Sequence, residues 1–322
     1  MSGLVALLGE RVAHDERVVR RMLATMTARG GDRSELLRDG AAALGVTRGA
    51  WEFAPGFSGP VLAVRDGDCH VVADATLYYR DDLRRRLAAR GVRPAAQTPS
   101  HLVLAAYRAF GESCAEVLEG DFAFVLWDRA RRRLLAARDP MGLRPLYLAQ
   151  LAGGVAIAST MTALREHPAC PATLDVQTLA LDAAALLMAR GDRTVFEAID
   201  QVPAGTTLVV RPGGTPTWRR WWSVECAASA FPRRAGEAAD GLRAVLGDAI
   251  AERVAVTGPT ALWMSGGYDS PALLAVGREA LGDAGLGALR VVSASFPEGD
   301  SAREDETITT IAAHCGVDVH WV

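Results

Sequence analysis

The residues best placed to do chemistry together are Ser265, Gly266, Gly267, Tyr268, Asp269 and Ser270, which are consecutive. An apolar run over 260–264 leads into them, and a helical pattern follows to about residue 282. Two glycines permit a sharp turn and let backbone N–H groups approach a ligand closely. The following helix offers its positive end. Such a loop suits phosphate or pyrophosphate, and Ser265 and Ser270 can add hydroxyl donors. Asp269 would repel a bare phosphate, so its presence points to a bridging magnesium ion. A plain glycine-rich turn between a strand and a helix is the alternative. The pattern SGGxDS fixes two serines and an aspartate as well as the glycines, so it is more specific than a glycine-rich turn alone.

Other candidates carry less. His101 stands alone on an amphipathic stretch, and His314 and His320 have no acidic or thiol partner at metal-ligand spacing. The pair Asp305-Glu306 reads as a solvated helix face. Cys69, Cys114, Cys170, Cys226 and Cys315 form no CxxC pair and read as reduced thiols of a cytoplasmic protein. Every one of the 35 basic residues is Arg. With no Lys, this chain has no Walker-type phosphate lysine, Schiff-base lysine or lysine general acid. A net charge of −3 gives no basic excess for a nucleic-acid or membrane surface. No positively charged leader opens the chain, and no apolar run is long enough to span a bilayer.

The elements that must position these residues follow from periodicity. The 322 residues suggest two domains, and 50% hydrophobic content supplies a sizeable core. Residues 2–8 read as a buried strand, and 16–28 as a helix with Val18, Val19, Met22, Leu23 and Met26 on one face. Runs over 61–64 and 70–73 flank a hairpin turn at Arg65-Asp66-Gly67-Asp68. Helices are expected over 81–89, 101–110 and 174–188, with strand pairs over 122–127 and 133–137, 146–150 and 155–158, and 207–211 and 217–221. Residues 223–235 read as a linker. Beyond it, a long amphipathic helix over 236–254 precedes strand, helix, strand, helix and strand, the pattern of a parallel α/β sheet.

Here the sequence resembles a known family. SGGYDS after an apolar strand looks like the pyrophosphate loop of ATP-pyrophosphatase enzymes, which adenylate a carboxylate or carbonyl. Upstream, residues 119–128 (EGDFAFVLWD) and 137–147 (ARDPMGLRPLY) resemble the signature of asparagine synthetase B. Arg29-Gly30-Gly31-Asp32, residues 44–48, Ala158-Ser159, Ala163-Leu164, 202–205 and 218–222 follow in that family's order. The resemblance covers essentially the whole chain. It implies an α+β N-terminal αββα sandwich of the Ntn (N-terminal nucleophile) glutaminase type over 1–222, a linker over 223–235, and over 236–322 the first part of a truncated α/β parallel-sheet ATP-pyrophosphatase domain. Met264, Ser265, Gly266, Gly267, Asp269, Ser270 and Ala294 would bind ATP, and Asp269 would hold Mg. Phe122, Phe124 and Trp127 would fill a core between sheets, and Arg138 and Asp139 would pair with each other or with nearby backbone.

At the glutaminase site the chain departs from the family pattern. The family's nucleophile is a cysteine exposed by removal of Met1, with its own α-amine as base; here that position is Ser2. The family's oxyanion hole uses an Asn side chain and a Gly backbone amide; here Asp74 and Ala75 align, followed by Thr76. Pro99 falls where an Asp would clamp the glutamine ammonium, whereas Arg48 keeps the position that would bind the glutamine carboxylate. Losing one oxyanion donor costs ~2.7–4 kcal/mol, so the resemblance implies a degenerate glutaminase. It also implies a second nucleotide loop and basic residues farther on, supplied by a complementing C-terminal chain if not by this one; a homo-oligomer is the other partner in view. The functions in view are an ATP-dependent ligase of the asparagine synthase type, a cyclase that uses an amine already on its carboxylate substrate, as β-lactam synthetases and lasso-peptide cyclases do, and a non-catalytic nucleotide-binding remnant.

Overall fold

A computed structural model describes the chain except residues 10, 11, 14, 55, 56, 187–191, 225–233, 287 and 288. The backbone divides into two compact units, Met1–Val224 and Glu225–Val322. Most of the expected linker therefore lies outside the described residues, as does Cys226.

The strands of the first unit are β1 (Gly3–Leu8), β2 (Arg33–Asp39), β3 (Ala42–Arg48), β4 (Ala63–Asp66), β5 (Cys69–Tyr78), β6 (Glu119–Asp128), β7 (Arg133–Arg138), β8 (Tyr147–Leu151), β9 (Gly154–Ala158), β10 (Ile199–Gln201), β11 (Thr206–Val210) and β12 (Thr217–Arg220). Its helices are α1 (Glu16–Ala24), α2 (Thr27–Gly30), α3 (Arg80–Ala89), α4 (Pro99–Phe110), α5 (Met161–Arg165) and α6 (Val176–Ala183). The strands form two six-stranded sheets, ordered β10-β8-β9-β1-β3-β2 and β12-β11-β7-β6-β5-β4.

Side chains alternate across a strand, and that alternation builds four layers. Leu4, Ala6, Leu44 and Val46 of one sheet meet Val72, Val125 and Trp127 of the other in a core between the sheets. Val5 and Leu7 face the opposite way, onto Val19, Met22 and Leu23 of α1. Val71, Ala73, Phe122 and Phe124 face outward onto Leu83, Leu87 and Leu102 of α3 and α4. The result is an αββα sandwich. It corrects one expectation: Trp127 lies between the sheets, but Phe122 and Phe124, odd by one position, lie under the helices.

Several boundaries also shift. The helix expected over 16–28 breaks after Ala24, and α2 follows as a separate short helix. The helix expected over 174–188 runs only Val176–Ala183, and residues 187 and 188 lie outside the described set. The β2–β3 hairpin appears where no strands were read.

The second unit contains α7 (Ala235–Thr257), β13 (Thr260–Trp263), α8 (Asp269–Leu286), β14 (Leu289–Ser293), α9 (Asp305–Cys315) and β15 (Val319–Trp321). Its three strands are parallel in the order β13-β14-β15. Met264, Leu274, Leu289, Val291, Ile308 and Cys315 form its core. Among the described residues, no helix is long and apolar enough to cross a membrane.

Candidate functional site

In the first unit Ser2, Arg48 and Asp74 gather at the head of β1. Antiparallel pairing sets Gly3 opposite Thr47, which brings Ser2 beside Arg48 at the end of β3. A short 3-10 turn over Ala50–Phe53 then returns Glu52 to the same place. Gly30 has φ 143°, and a Cβ there would lie 2.2 Å from the Gly49 nitrogen. Glycine therefore lets α2 close onto the end of β3, and Arg29 joins the cluster.

Ser2, Arg48 and Asp74 are each 0% exposed, and Glu52 is 1% exposed. The Ser2 hydroxyl donates to Glu52 Oε2 at 3.0 Å and accepts from Arg48 Nε at 2.9 Å. The Met1 ammonium lies 3.2 Å from Glu52 Oε1. The remaining Arg48 nitrogens point at backbone: Nη1 donates to the carbonyls of Gly59 (2.8 Å) and Val61 (2.7 Å), and Nη2 to that of Ala73 (2.9 Å). Burial lowers the Arg48 pKa, while Glu52 and Asp74 act in the opposite direction.

Asp74 lies in mid-strand, opposite Ala123 of β6. Its Oδ2 accepts from Arg29 Nη2 at 3.0 Å, and Arg29 Nε also donates to the Ser2 carbonyl at 3.1 Å. Arg144 Nη1 lies 3.7 Å from Asp74 Oδ1, and its Nη2 donates to Thr76 Oγ1 at 3.2 Å. Among the described residues, Asp74 Oδ1 itself accepts no hydrogen bond. Ala75 alternates to the other face, in the core under the helices, and its carbonyl accepts from Ser58 Oγ at 3.1 Å. Pro99 opens α4, where its missing N–H costs nothing. His101 Nδ1 sits 2.7 Å from Thr98 Oγ1, and burial lowers its pKa against a weaker opposing influence of Asp66.

The signature residues Arg138 and Asp139 bind backbone. Arg138 donates to the carbonyls of Gly142, Arg144 and Val202, while Asp139 accepts from the amides of Met141, Leu143 and Arg144. They hold the loop that carries Arg144 to Asp74. Glu52 and the pairing of Arg29 and Arg144 with Asp74 carry no motif in the sequence. The only local signal for Glu52 was a carboxylate four positions after Arg48.

In the second unit the Ser265–Ser270 loop leaves the carboxyl end of β13 and enters α8 at Asp269. Ligands of open α/β sheets bind at such strand ends. Ser265 N donates to Ser270 Oγ at 3.0 Å, and the two hydroxyl oxygens lie 3.2 Å apart. Met264 is buried beneath the loop; its carbonyl accepts from Ser293 Oγ at 2.8 Å. Asp269 is exposed, and Tyr268 is 96% exposed. Ala294 is half-buried, immediately after β14. Gly266 N donates to Glu304 Oε2 at 2.9 Å, so a carboxylate rests on one of the amides that an anion would use. Asp305 accepts from Ser295 Oγ at 2.6 Å and is tied into this corner rather than simply solvated, while Glu306 is exposed. Among the described residues, no group of three or more His, Cys, Asp or Glu side chains could hold a metal by itself. Magnesium with a nucleotide needs only one or two carboxylates besides the phosphates, and the loop presents one exposed carboxylate, that of Asp269.

Two antiparallel sheets between helix layers, with residue 2 at the head of a central strand, define an α+β sandwich of the Ntn type. A solved structure described as the allosteric regulatory enzyme of purine biosynthesis shares this architecture, with a TM-score of 0.52 at 15% identity over 99% of this chain and 80% of that one. The family description "glutamine amidotransferase domain" matches residues 1–222, and the chain belongs to that family. It is similar to a Bacillus subtilis protein named asparagine synthetase [glutamine-hydrolyzing] 3, at 26% identity over 90% of this chain and 47% of the relative. It is also similar to a Penicillium rubens protein named amidase chyE (28% identity, 80% and 39%). A Mycobacterium bovis putative asparagine synthetase shares 30% identity over 62% of this chain and 31% of its own. The chain thus spans less than half the length of each of these curated relatives.

Proposed function

We propose that the protein is an ATP-dependent ligase of the asparagine synthase type, which adenylates a carboxylate with Mg-ATP and forms an amide, and whose glutaminase site is degenerate. The observation that carries the ligase reading is the placement of Ser265–Ser270 at a strand's carboxyl end and a helix's head, with both serine hydroxyls turned into the loop. There the Gly266 and Gly267 amides and the two hydroxyls would hold pyrophosphate oxygens. Asp269 would hold magnesium, whose positive charge offsets the negative charge of the leaving pyrophosphate.

The degenerate reading rests on Asp74. A carboxylate held by two arginines stands where an oxyanion donor is needed, and it opposes negative charge developing on a substrate carbonyl. If nitrogen does not come from glutamine here, a lactam-forming ligase that uses an amine already on its substrate is the second reading, and Asp74 is the observation that favours it.

ATP–pyrophosphate exchange with candidate carboxylates tests the adenylation. Glutamate release by the native protein and by Ser2→Cys tests the glutaminase. Exchange with at least one carboxylate and no glutamate release from either form is expected. Rapid glutamate release would overturn the degenerate reading, and a nucleotide-binding remnant would give no exchange with any carboxylate.

A further inference from the structure

We propose that Glu304 is a built-in competitor for the Ser265–Ser270 loop: its carboxylate holds the Gly266 amide and must leave before a phosphate oxygen can take that donor. The inference rests on the reading of the loop as a pyrophosphate cradle and adds to it a contact that regulates access. Three successive amides of the loop have acceptors from the chain itself. Ser265 N donates to Ser270 Oγ at 3.0 Å, Gly267 N to Ser265 Oγ at 3.4 Å, and Gly266 N to Glu304 Oε2 at 2.9 Å.

The three are not equivalent. A hydroxyl both accepts and donates, so Ser265 and Ser270 can keep their amides and still turn a proton toward an anion. An ionised carboxylate only accepts. Glu304 and a phosphate oxygen therefore compete for one N–H, and their like charges oppose any shared arrangement.

The contact is close, and little holds it from behind. A Cβ on Gly266 would lie 3.1 Å from both Cδ and Oε1 of Glu304, so glycine is what admits the carboxylate. Among the described residues no cation pairs with Glu304; its neighbour Arg303 turns Nε to Asp305 Oδ2 at 3.1 Å. The Glu304 backbone is fixed at the head of α9, where its carbonyl accepts from Ile308 N at 3.0 Å. Displacement therefore needs only a turn of an exposed side chain, and a hollow of about 480 Å³ opens beside it. Glu298, Asp300 and Glu306 line that hollow with the same charge, so the carboxylate returns once the anion has gone. The return loosens nucleotide and product pyrophosphate alike.

The test is calorimetric titration of the full chain with magnesium pyrophosphate. Glu304→Ala removes the carboxylate. Glu304→Asp keeps the charge but draws it back by about 1.5 Å, one carbon–carbon bond. Both should bind about threefold to tenfold tighter than the parent, the worth of a charge-assisted hydrogen bond discounted for exposure. Glu306→Gln, which removes an exposed charge two residues on, should match the parent. Parent-like affinity in both Glu304 variants would overturn the proposal. A gain in Glu304→Ala with none in Glu304→Asp would overturn it too, since Glu304 would then be a repelling charge and not a competitor. Binding by neither parent nor variants would overturn the pyrophosphate reading of the loop, and the proposal with it. Should a variant not fold, nuclear magnetic resonance of the parent gives the second reading: the Gly266 amide and the Glu304 carboxyl resonances should move together on titration with pyrophosphate, and movement of Gly266 alone overturns the proposal.

Discussion

Arg48→Met separates two uses of the one residue whose family position points to ligand binding. The guanidinium is wholly buried and donates to the carbonyls of Gly59, Val61 and Ala73 and to the Ser2 hydroxyl. Methionine fills much of the same space without any donor. Each carbonyl left unsatisfied costs about 1–3 kcal/mol, so the three together cost at least about 3 kcal/mol. Taking a cation from beside buried Glu52 and Asp74 adds to that, since breaking a buried charged network costs about 3–5 kcal/mol. Against a domain stability of about 5–15 kcal/mol, the variant should be barely folded. Urea unfolding followed by tryptophan fluorescence, to which Trp127 between the sheets contributes, reads the loss. A loss below about 1 kcal/mol, together with loss of glutamine binding, would refute the reasoning. It would mean that the guanidinium serves a ligand carboxylate and that the backbone carbonyls find other donors.

Three further outcomes follow from the geometry. Asp269→Asn should weaken Mg-ATP binding by calorimetry far more than Tyr268→Phe, because Tyr268 is 96% exposed; equal effects would remove the metal role from Asp269. Glu304→Gln should strengthen pyrophosphate binding severalfold, because the carboxylate that now accepts from Gly266 N would lose its charge; unchanged affinity would mean that this amide lies outside the anion's path. Asp128 bears on acid stability: burial alone would raise its pKa, but hydrogen bonds from the Tyr107 hydroxyl and from Arg131 outweigh it and hold the carboxyl below its ordinary value. The unfolded chain therefore binds the proton more readily, and the stabilisation is present above the ordinary carboxylate pKa and lost as pH falls through the folded value. Asp128→Asn should flatten the acid limb of the stability profile, and a limb as steep as the parent's would contradict this.

The sequence was most legible where burial alone sets the pattern. Strands β1, β6, β7, β8 and β9 are nearly continuous apolar runs, and the second unit's alternation of strand and helix was readable from end to end. The β2–β3 hairpin escaped because Arg33, Ser34 and Arg38 are exposed on an edge strand and Gly45 interrupts β3. A Cβ at Gly45 would lie 2.9 Å from Leu23 Cδ1, so glycine there serves the packing of α1 on the sheet. The roles of Phe122 and Phe124 were lost to a phase that period 2 leaves undetermined: alternation says that two faces differ, and only the neighbouring sheet says which face is inner. The site was harder still. Glu52, Arg29 and Arg144 reach Ser2 and Asp74 from three separate loops or helix ends, and no spacing along the chain encodes that meeting.

The same meeting argues that the hydrolytic site cannot be recovered one residue at a time. A carboxylate at the buried Asp74 position is tolerable only with cations beside it, and Arg29 and Arg144 supply them. Arg144 in turn is delivered by a loop whose amides Asp139 holds and whose carbonyls Arg138 holds. Replacing Asp74 with Asn would restore a donor but strand two guanidiniums at 12–13% exposure beside a neutral amide. Those positive charges would attract a substrate carboxylate as readily as an oxyanion. Ser2→Cys combined with Asp74→Asn should therefore release no more glutamate than either change alone. Recovery of glutamine hydrolysis by that pair would show that Arg29 and Arg144 act as oxyanion donors once the carboxylate between them is gone.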